Sequence, residues 1–313
     1  MPTEHYLDES ALKKGIMLKS RYEIRKTISI SDLSIVYMAF DFLEGKDCVI
    51  KEHYPKGKVL RDTDSKTVIF KMPSFKDKYY EGLKLFLKEG EILKKLKHKN
   101  IAKCIDYFEE NDTGYIVMKY YEGKTLDEHM MEEKEFFISD ELKKIFIPVV
   151  NALSYIHKKG ILHRDIKPKN ILINEKYGPV IIDFGSACKY KSKEKKKIFY
   201  TPCFSPLEYY SDKSRQGKYS DIYSLAATLY YYMGGKMPEK VTDRVIEDKI
   251  ESIEKYNKDI SGFFSKVIMK NLSVDYKKRF SFLGAFKASI YIEYIILSKK
   301  EKRLQHEKED KQR

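Results

Sequence analysis

The chain has 313 residues, 42% hydrophobic and 35% charged, which excludes a disordered or collagen-like polymer and is long enough for two lobes with real cores. Lys and Arg number 61 against 47 Asp and Glu, a net charge of +14. That balance admits an anionic partner, but the lysines run through the whole chain among many Ile and Tyr, as on a solvated basic surface. Cys48, Cys104, Cys188 and Cys203 stand too far apart for a CxxC pair or a zinc site and read as free thiols of a reducing compartment.

In chain order, residues 1–21 form an N-terminal extension without an apolar signal core. Tyr22, Ile24 and Lys26 alternate with polar neighbours. Ile35 to Met38 and Cys48 to Ile50 are β-rich runs, so Tyr22 to Ile50 reads as strands. Thr67 to Phe70 suggests an extra hairpin. Leu83, Phe86, Leu87, Gly90, Leu93 and Leu96 recur at three and four, which predicts a helix over 77–97. Tyr115 to Met118 is another strand. From Ser139 the period becomes helical. One helix starts with capping chemistry at Ser139–Glu141 and runs to Lys159, where Gly160 ends it. Tyr219–Met233 and Ser261–Leu272 read as further helices. Ala288 to Ser298 is apolar but broken by Glu293 and too short to span a bilayer. Residues 299–313 are a charged tail, expected as a frayed helix or a disordered end. The expected fold is α+β and two-lobed, with a strand-rich lobe over 22–121, a mainly helical lobe over 122–298 and a cleft between them. The expected localisation is cytoplasmic.

The strongest segment is His163-Arg164-Asp165-Ile166-Lys167-Pro168-Lys169-Asn170, followed by apolar Ile171–Ile173 and Val180–Ile182 and then Asp183-Phe184-Gly185. Two acidic groups separated by a strand hairpin can meet at one place, one accepting a hydroxyl proton while the other holds Mg²⁺. H-R-D-x-x-x-x-N followed by D-F-G is the protein-kinase signature. The chain resembles the eukaryotic-like Ser/Thr protein kinase family over roughly 22–294.

That resemblance implies roles for further residues. Asp165 would be the catalytic base, with Lys167 and Asn170 beside it, and Asn170 and Asp183 would hold Mg²⁺. Lys51, closing Cys48-Val49-Ile50-Lys51, would grip the ATP phosphates and pair with Glu89, with Glu91 a competitor two residues off. Ile28, Val36 and Leu172 would line the adenine pocket, Met118 would be the gatekeeper, and the backbone of Lys119 and Tyr121 would bond the adenine edge. Asp221 would support the catalytic-loop backbone and Glu208 would ion-pair with Arg279. Lys167 goes with Ser/Thr specificity, so the implied partner is a protein with a Ser/Thr acceptor, and autophosphorylation is a route of control. Arg164 would then receive a phosphate on Ser192 or Thr201. No nucleic-acid motif surrounds the basic run Lys193–Lys197.

Two departures stand out. The phosphate loop has Ser29, Ser31 and Ser34 where the family pattern has three glycines. Glycine serves there because some residues need positive φ, so the expectation is a strained loop and weakened ATP binding. A pseudokinase scaffold or binding module with a degenerate phosphate loop is the alternative function. Second, Lys51 and Glu89 are farther apart than is usual. The intervening Lys51-Glu52-His53-Tyr54-Pro55 and Arg61 resemble a K-E-x-x-P signature of some bacterial members.

Overall fold

The computed structural model describes residues 10–132, 137–190 and 198–312. The chain divides into two compact units, Met1–Lys97 with Ala102–Tyr121, and His98–Ile101 with Glu122–Arg313.

In the first unit, strands β1 (Met17–Leu18), β2 (Tyr22–Ile30), β3 (Ser34–Asp41) and β4 (Lys46–His53) follow one another. A small hairpin of β5 (Val59–Arg61) and β6 (Val68–Phe70) comes next, then helix α1 (Lys76–Lys95), β7 (Cys104–Glu110) and β8 (Thr113–Lys119). The main sheet is antiparallel in the order β1-β2-β3-β4-β8-β7. β3 shows why it forms: Ile35, Tyr37, Ala39 and Asp41 point to the buried face and their neighbours do not. Tyr22, Ile24, Ile50, Tyr54, Leu83, Tyr115 and Val117 complete that core, and Leu12 and Leu18 of the N-terminal extension belong to it. Asp41, the one carboxylate in the β3 stripe, takes two bonds of 2.7 Å from the Arg21 fork, which holds it below the ordinary carboxylate range.

The second unit is mainly helical. β9 (Lys124–Thr125), β11 (Ile171–Asn174) and β12 (Gly178–Ile181) form a three-stranded sheet, and β10 (Ile161–Leu162) pairs with β13 (Cys188–Lys189). Gly123, at φ +152°, lets the chain pass β11: a Cβ there would lie 2.1 Å from the Ile173 carbonyl oxygen. The helices are α2 (Leu126–Glu132), α3 (Ile138–Glu141), α4 (Ile147–Lys158), α5 (Lys218–Gly234), α6 (Val241–Ile246), α7 (Gly262–Asn271) and α8 (Leu283–Gln312). α5 is buried on all sides from Ser220 to Tyr230, the pattern of a central helix.

Two expectations change here. The helix read from Ser139 to Lys159 is three pieces, because a π-helical turn at Leu142–Phe146 separates α3 from α4. Pro148 lacks the N–H that would continue the ladder and its ring crowds the preceding turn, so the turn widens. Ser139 does not cap: its hydroxyl and its N–H donate to Glu301. Of the two courses expected for the charged stretch after Lys299, the helix is the one observed: it continues α8, with Glu301 tied to Ser139 and Lys300 2.8 Å from Asp259.

α8 also carries Glu293, wholly buried, which accepts from the backbone N–H of Ser261 at 2.8 Å and from its hydroxyl. Burial raises its pKa. A carboxyl whose folded pKa lies above its unfolded one contributes stability that is present at low pH and lost as pH rises through the folded value. Glu293→Gln keeps an acceptor for Ser261 and removes that loss. Its melting midpoint is expected to exceed wild type at pH 7.5 and to match it at pH 4. Thermal melts at both pH values check this, and a variant less stable at pH 7.5 sinks it.

Candidate active site

In the first unit, Lys51 on β4 donates to both oxygens of Glu89 on α1, at 3.0 and 3.1 Å. Glu91 instead pairs with Lys95 along the helix. β4 lies between β3 and β8, with Val36 opposite Lys51 on one side and Met118 opposite Val49 on the other. Met118 is buried, Val36 half-buried and Ile28 exposed. Beyond β8, the Lys119 N–H donates to the Lys103 carbonyl at 2.9 Å, and the Tyr121 hydroxyl accepts from the Lys103 N–H at 3.3 Å.

The turn from Ser29 to Ser34 overturns the strain expectation. None of its residues has positive φ. Ser31 N–H donates to the Ser34 carbonyl at 2.9 Å, and the Ser31 hydroxyl donates to the same oxygen at 2.9 Å while accepting from the Ser34 N–H at 3.1 Å. The two hydroxyls are 3.1 Å apart. Serine therefore closes this turn with its side chain, as Ser does in turns generally, and glycine is not needed. Replacing Ser29, Ser31 and Ser34 together by glycine is expected to lower the melting midpoint. The stability loss is about 1–3 kcal/mol from added chain entropy and lost hydroxyl bonds. Calorimetric melting tests it; a midpoint at or above wild type would restore the strain argument.

In the second unit the segment His163–Asn170 hangs on Asp221 of α5. This buried carboxylate accepts from the backbone N–H groups of His163 and Arg164 at 2.9 and 2.8 Å, from His157 Nε2 at 2.7 Å and from the Tyr209 hydroxyl at 3.1 Å. Burial alone would raise its pKa, but the His157 hydrogen bond and the converging donors hold it below the ordinary value. Those bonds also hold Arg164 at φ +70°, a sparsely populated conformation for a residue with a side chain. The Arg164 side chain lies over the Tyr209 ring and donates to the Ser186 carbonyl. Burial lowers the pKa of His163, and its ring meets Phe184 edge-on at 4.7 Å.

Asp165 follows. Its Oδ1 accepts from the Thr201 hydroxyl at 2.7 Å, and its Oδ2 lies 2.8 Å from both Asn170 Nδ2 and Lys167 Nζ. Lys167 also donates to Thr201 Oγ1 at 2.9 Å. Thr201 is thus engaged by Asp165 and Lys167. Ser192 and the run Lys193–Lys197 lie outside the described residues. Leu172, half-buried on β11, pairs with Thr125 and Val180. Asp183 accepts from the Gly185 N–H at 3.0 Å. Asn170 commits its amide nitrogen to Asp165, so its oxygen is the atom left for a cation. With the Asp183 carboxylate this makes a set of hard oxygen donors, which suits Mg²⁺. Glu208 and Arg279 form a buried pair at 2.8 Å.

Sequence reasoning quoted Glu52 and Arg61 without giving them a task. The structure makes them a buried ion pair: both guanidinium arms of Arg61 reach Glu52 at 2.8 Å, and the Tyr37 and Tyr115 hydroxyls donate to the same carboxylate at 2.6 and 3.0 Å. Arg61 also donates to the Ser10 carbonyl at 2.6 Å and the Lys66 carbonyl at 2.8 Å, which ties the N-terminal segment and the β5–β6 hairpin to β4. The available signal was an ionisable pair with one member on an apolar strand and the other in the inserted hairpin.

A family model described as protein kinase domain matches residues 56–291. The match begins just beyond Lys51, so the serine turn and the strands around it lie outside it. Probable serine/threonine-protein kinase CPE1738 of Clostridium perfringens is 30% identical over 277 residues, covering 85% of this chain and 37% of that protein. Serine/threonine-protein kinase PrkC of Bacillus subtilis is 27% identical over 272 residues, covering 83% and 38%. The chain therefore spans under two fifths of the length of these relatives. Among solved structures, one described as PpkA-294 apo form has a TM-score of 0.78 at 27% identity, covering 90% of this chain and 99% of that one. Among the described residues no helix is long and apolar enough to cross a membrane.

Proposed function

Because the chain belongs to the protein kinase domain family, we propose that it transfers the γ-phosphoryl group of ATP to a serine or threonine hydroxyl of a protein substrate. The observation that carries this reading is the joining of Asp165, Lys167, Asn170 and Thr201 by hydrogen bonds of 2.7 to 2.9 Å. Asp165 orients the acceptor hydroxyl and takes its proton. Lys167 offsets negative charge on the phosphoryl group as it moves. Asn170 and Asp183 would hold Mg²⁺, which when bound neutralises phosphate charge. In the first unit, Lys51, fixed by Glu89, contacts the α- and β-phosphates, and Ser29, Ser31 and Ser34 face them from the turn. Ile28, Val36 and Met118 there contact the adenine, whose polar edge bonds the backbone of Lys119 and Tyr121.

The strand-rich lobe of this reading is residues 22–121 and the helical lobe 122–298. A cytoplasmic setting is supported by four cysteines that remain thiols. Autophosphorylation is the proposed route of control. The scaffold alternative rests on the serine-substituted phosphate loop; the strain expected of that loop is absent, since none of its residues has positive φ. The test is transfer of label from γ-labelled ATP with Mg²⁺ to a peptide bearing Ser, Thr and Tyr. Label on Ser or Thr is expected. Label confined to Tyr, or no transfer, overturns the reading.

A further inference from the structure

The serine turn does not end at its own hydrogen bonds. The β3–β4 ladder continues past its last paired residues, Ser34 and His53, onto the tip of the turn. Tyr54 N–H donates to the Leu33 carbonyl at 3.0 Å and Lys56 N–H to the Asp32 carbonyl at 3.1 Å. The tip is thus laced to residues 54–56. That segment is itself fixed: the Tyr54 ring is buried, and the Arg61 guanidinium sits 4.7 Å from its centroid while gripping Glu52 at 2.8 Å with each arm. Arg61 and Glu52 are almost wholly buried, and a buried fork-to-carboxylate pair with its remaining donors and acceptors satisfied holds one geometry.

We propose that Glu52 and Arg61 are positioning residues for the nucleotide. Through Tyr54 and Lys56 they hold the glycine-free turn in place, so that a fixed hairpin does what a pliable glycine loop would otherwise do. This rests on the kinase reading, in which the turn faces the ATP phosphates. The physical logic is preorganisation: a turn held before the ligand arrives loses less freedom on binding, so releasing its tip weakens binding. Glu52 and Arg61 act through the backbone of the turn.

Arg61→Met is the direct variant, but it leaves Glu52 buried and uncompensated and risks unfolding. Lys56→Pro is the cleaner one. Lys58 N–H donates to the Pro55 carbonyl at 2.8 Å, which makes Lys56 the second residue of a turn, where proline is favoured. Proline there deletes only the N–H that reaches Asp32, and Lys56→Ala controls for the side chain. The measurements are calorimetric Mg²⁺-ATP affinity, KM and kcat for ATP, and melting midpoint. For Lys56→Pro against Lys56→Ala, the Kd and KM for ATP are expected to rise about fivefold, the worth of one backbone hydrogen bond, with the midpoint unchanged. A purely structural role would lower the midpoint and leave the Kd of the folded protein where it was. Equal affinity in the two variants, with an active wild type, overturns the proposal and spares the kinase reading. A wild type that neither binds Mg²⁺-ATP nor transfers phosphate overturns both.

Discussion

Asp165→Asn is expected to lower phosphoryl transfer by roughly 10²–10⁴-fold, the usual worth of a positioned general base. Asparagine fits the hydrogen-bond geometry but lacks a basic oxygen. Oδ1 of Asp165 accepts from Thr201, and Oδ2 lies 2.8 Å from donors on both Asn170 and Lys167. An asparagine offers its oxygen to Asn170 and Lys167 and turns its NH₂ to Thr201, whose hydroxyl oxygen can accept. It cannot accept the proton of an incoming hydroxyl. The side chain is partly exposed, so the stability change should stay within about 1 kcal/mol. Initial rates with Mg²⁺-ATP and a Ser/Thr peptide, beside a melting curve and an ATP affinity, separate these effects. The expected pattern is a collapsed rate on a folded, nucleotide-binding protein. A rate equal to wild type would remove Asp165 as the base.

The catalytic segment was legible because its chemistry is local: Asp165, Lys167 and Asn170 lie within six residues and bond to one another directly. The serine turn was misread for the opposite reason. Family pattern demanded glycine, but what removes the demand is a side-chain closure by Ser31 plus two rungs from Tyr54 and Lys56, more than twenty positions later. No local pattern announces such rungs. β7 escaped notice because a register shift between Cys104 and Asp106 breaks the alternation that would have marked it as a strand. Pro148 was a usable signal for the break before α4, masked by apolar residues that keep helical spacing across it. The charged C-terminal stretch is tied back to the fold by Glu301 reaching Ser139, a contact across 162 positions that composition does not encode.

Asp221→Ala is expected to be the most destabilising single change, by about 3–5 kcal/mol, because it strips a buried acceptor from four donors at once. Two of those donors are backbone N–H groups, of His163 and Arg164, with no side chain to rearrange, and the others, His157 and Tyr209, are themselves buried. Arg164 sits at φ +70° one residue before Asp165. Releasing it should let that residue relax and carry Asp165 out of register, so activity should fall even in the fraction that stays folded. Asp221→Asn retains one oxygen for a backbone donor but turns an NH₂ toward the other side, and should fall between alanine and wild type. The pH dependence has a definite sign. The folded pKa of Asp221 lies below its unfolded value of 3.8, so its contribution is complete above that value and is lost as pH falls through the lower folded one. Wild type and Asp221→Ala should therefore differ most at neutral pH and converge in strong acid. Urea denaturation across that range measures it. A neutral-pH difference under 1 kcal/mol would mean that the catalytic segment is held by something other than this carboxylate.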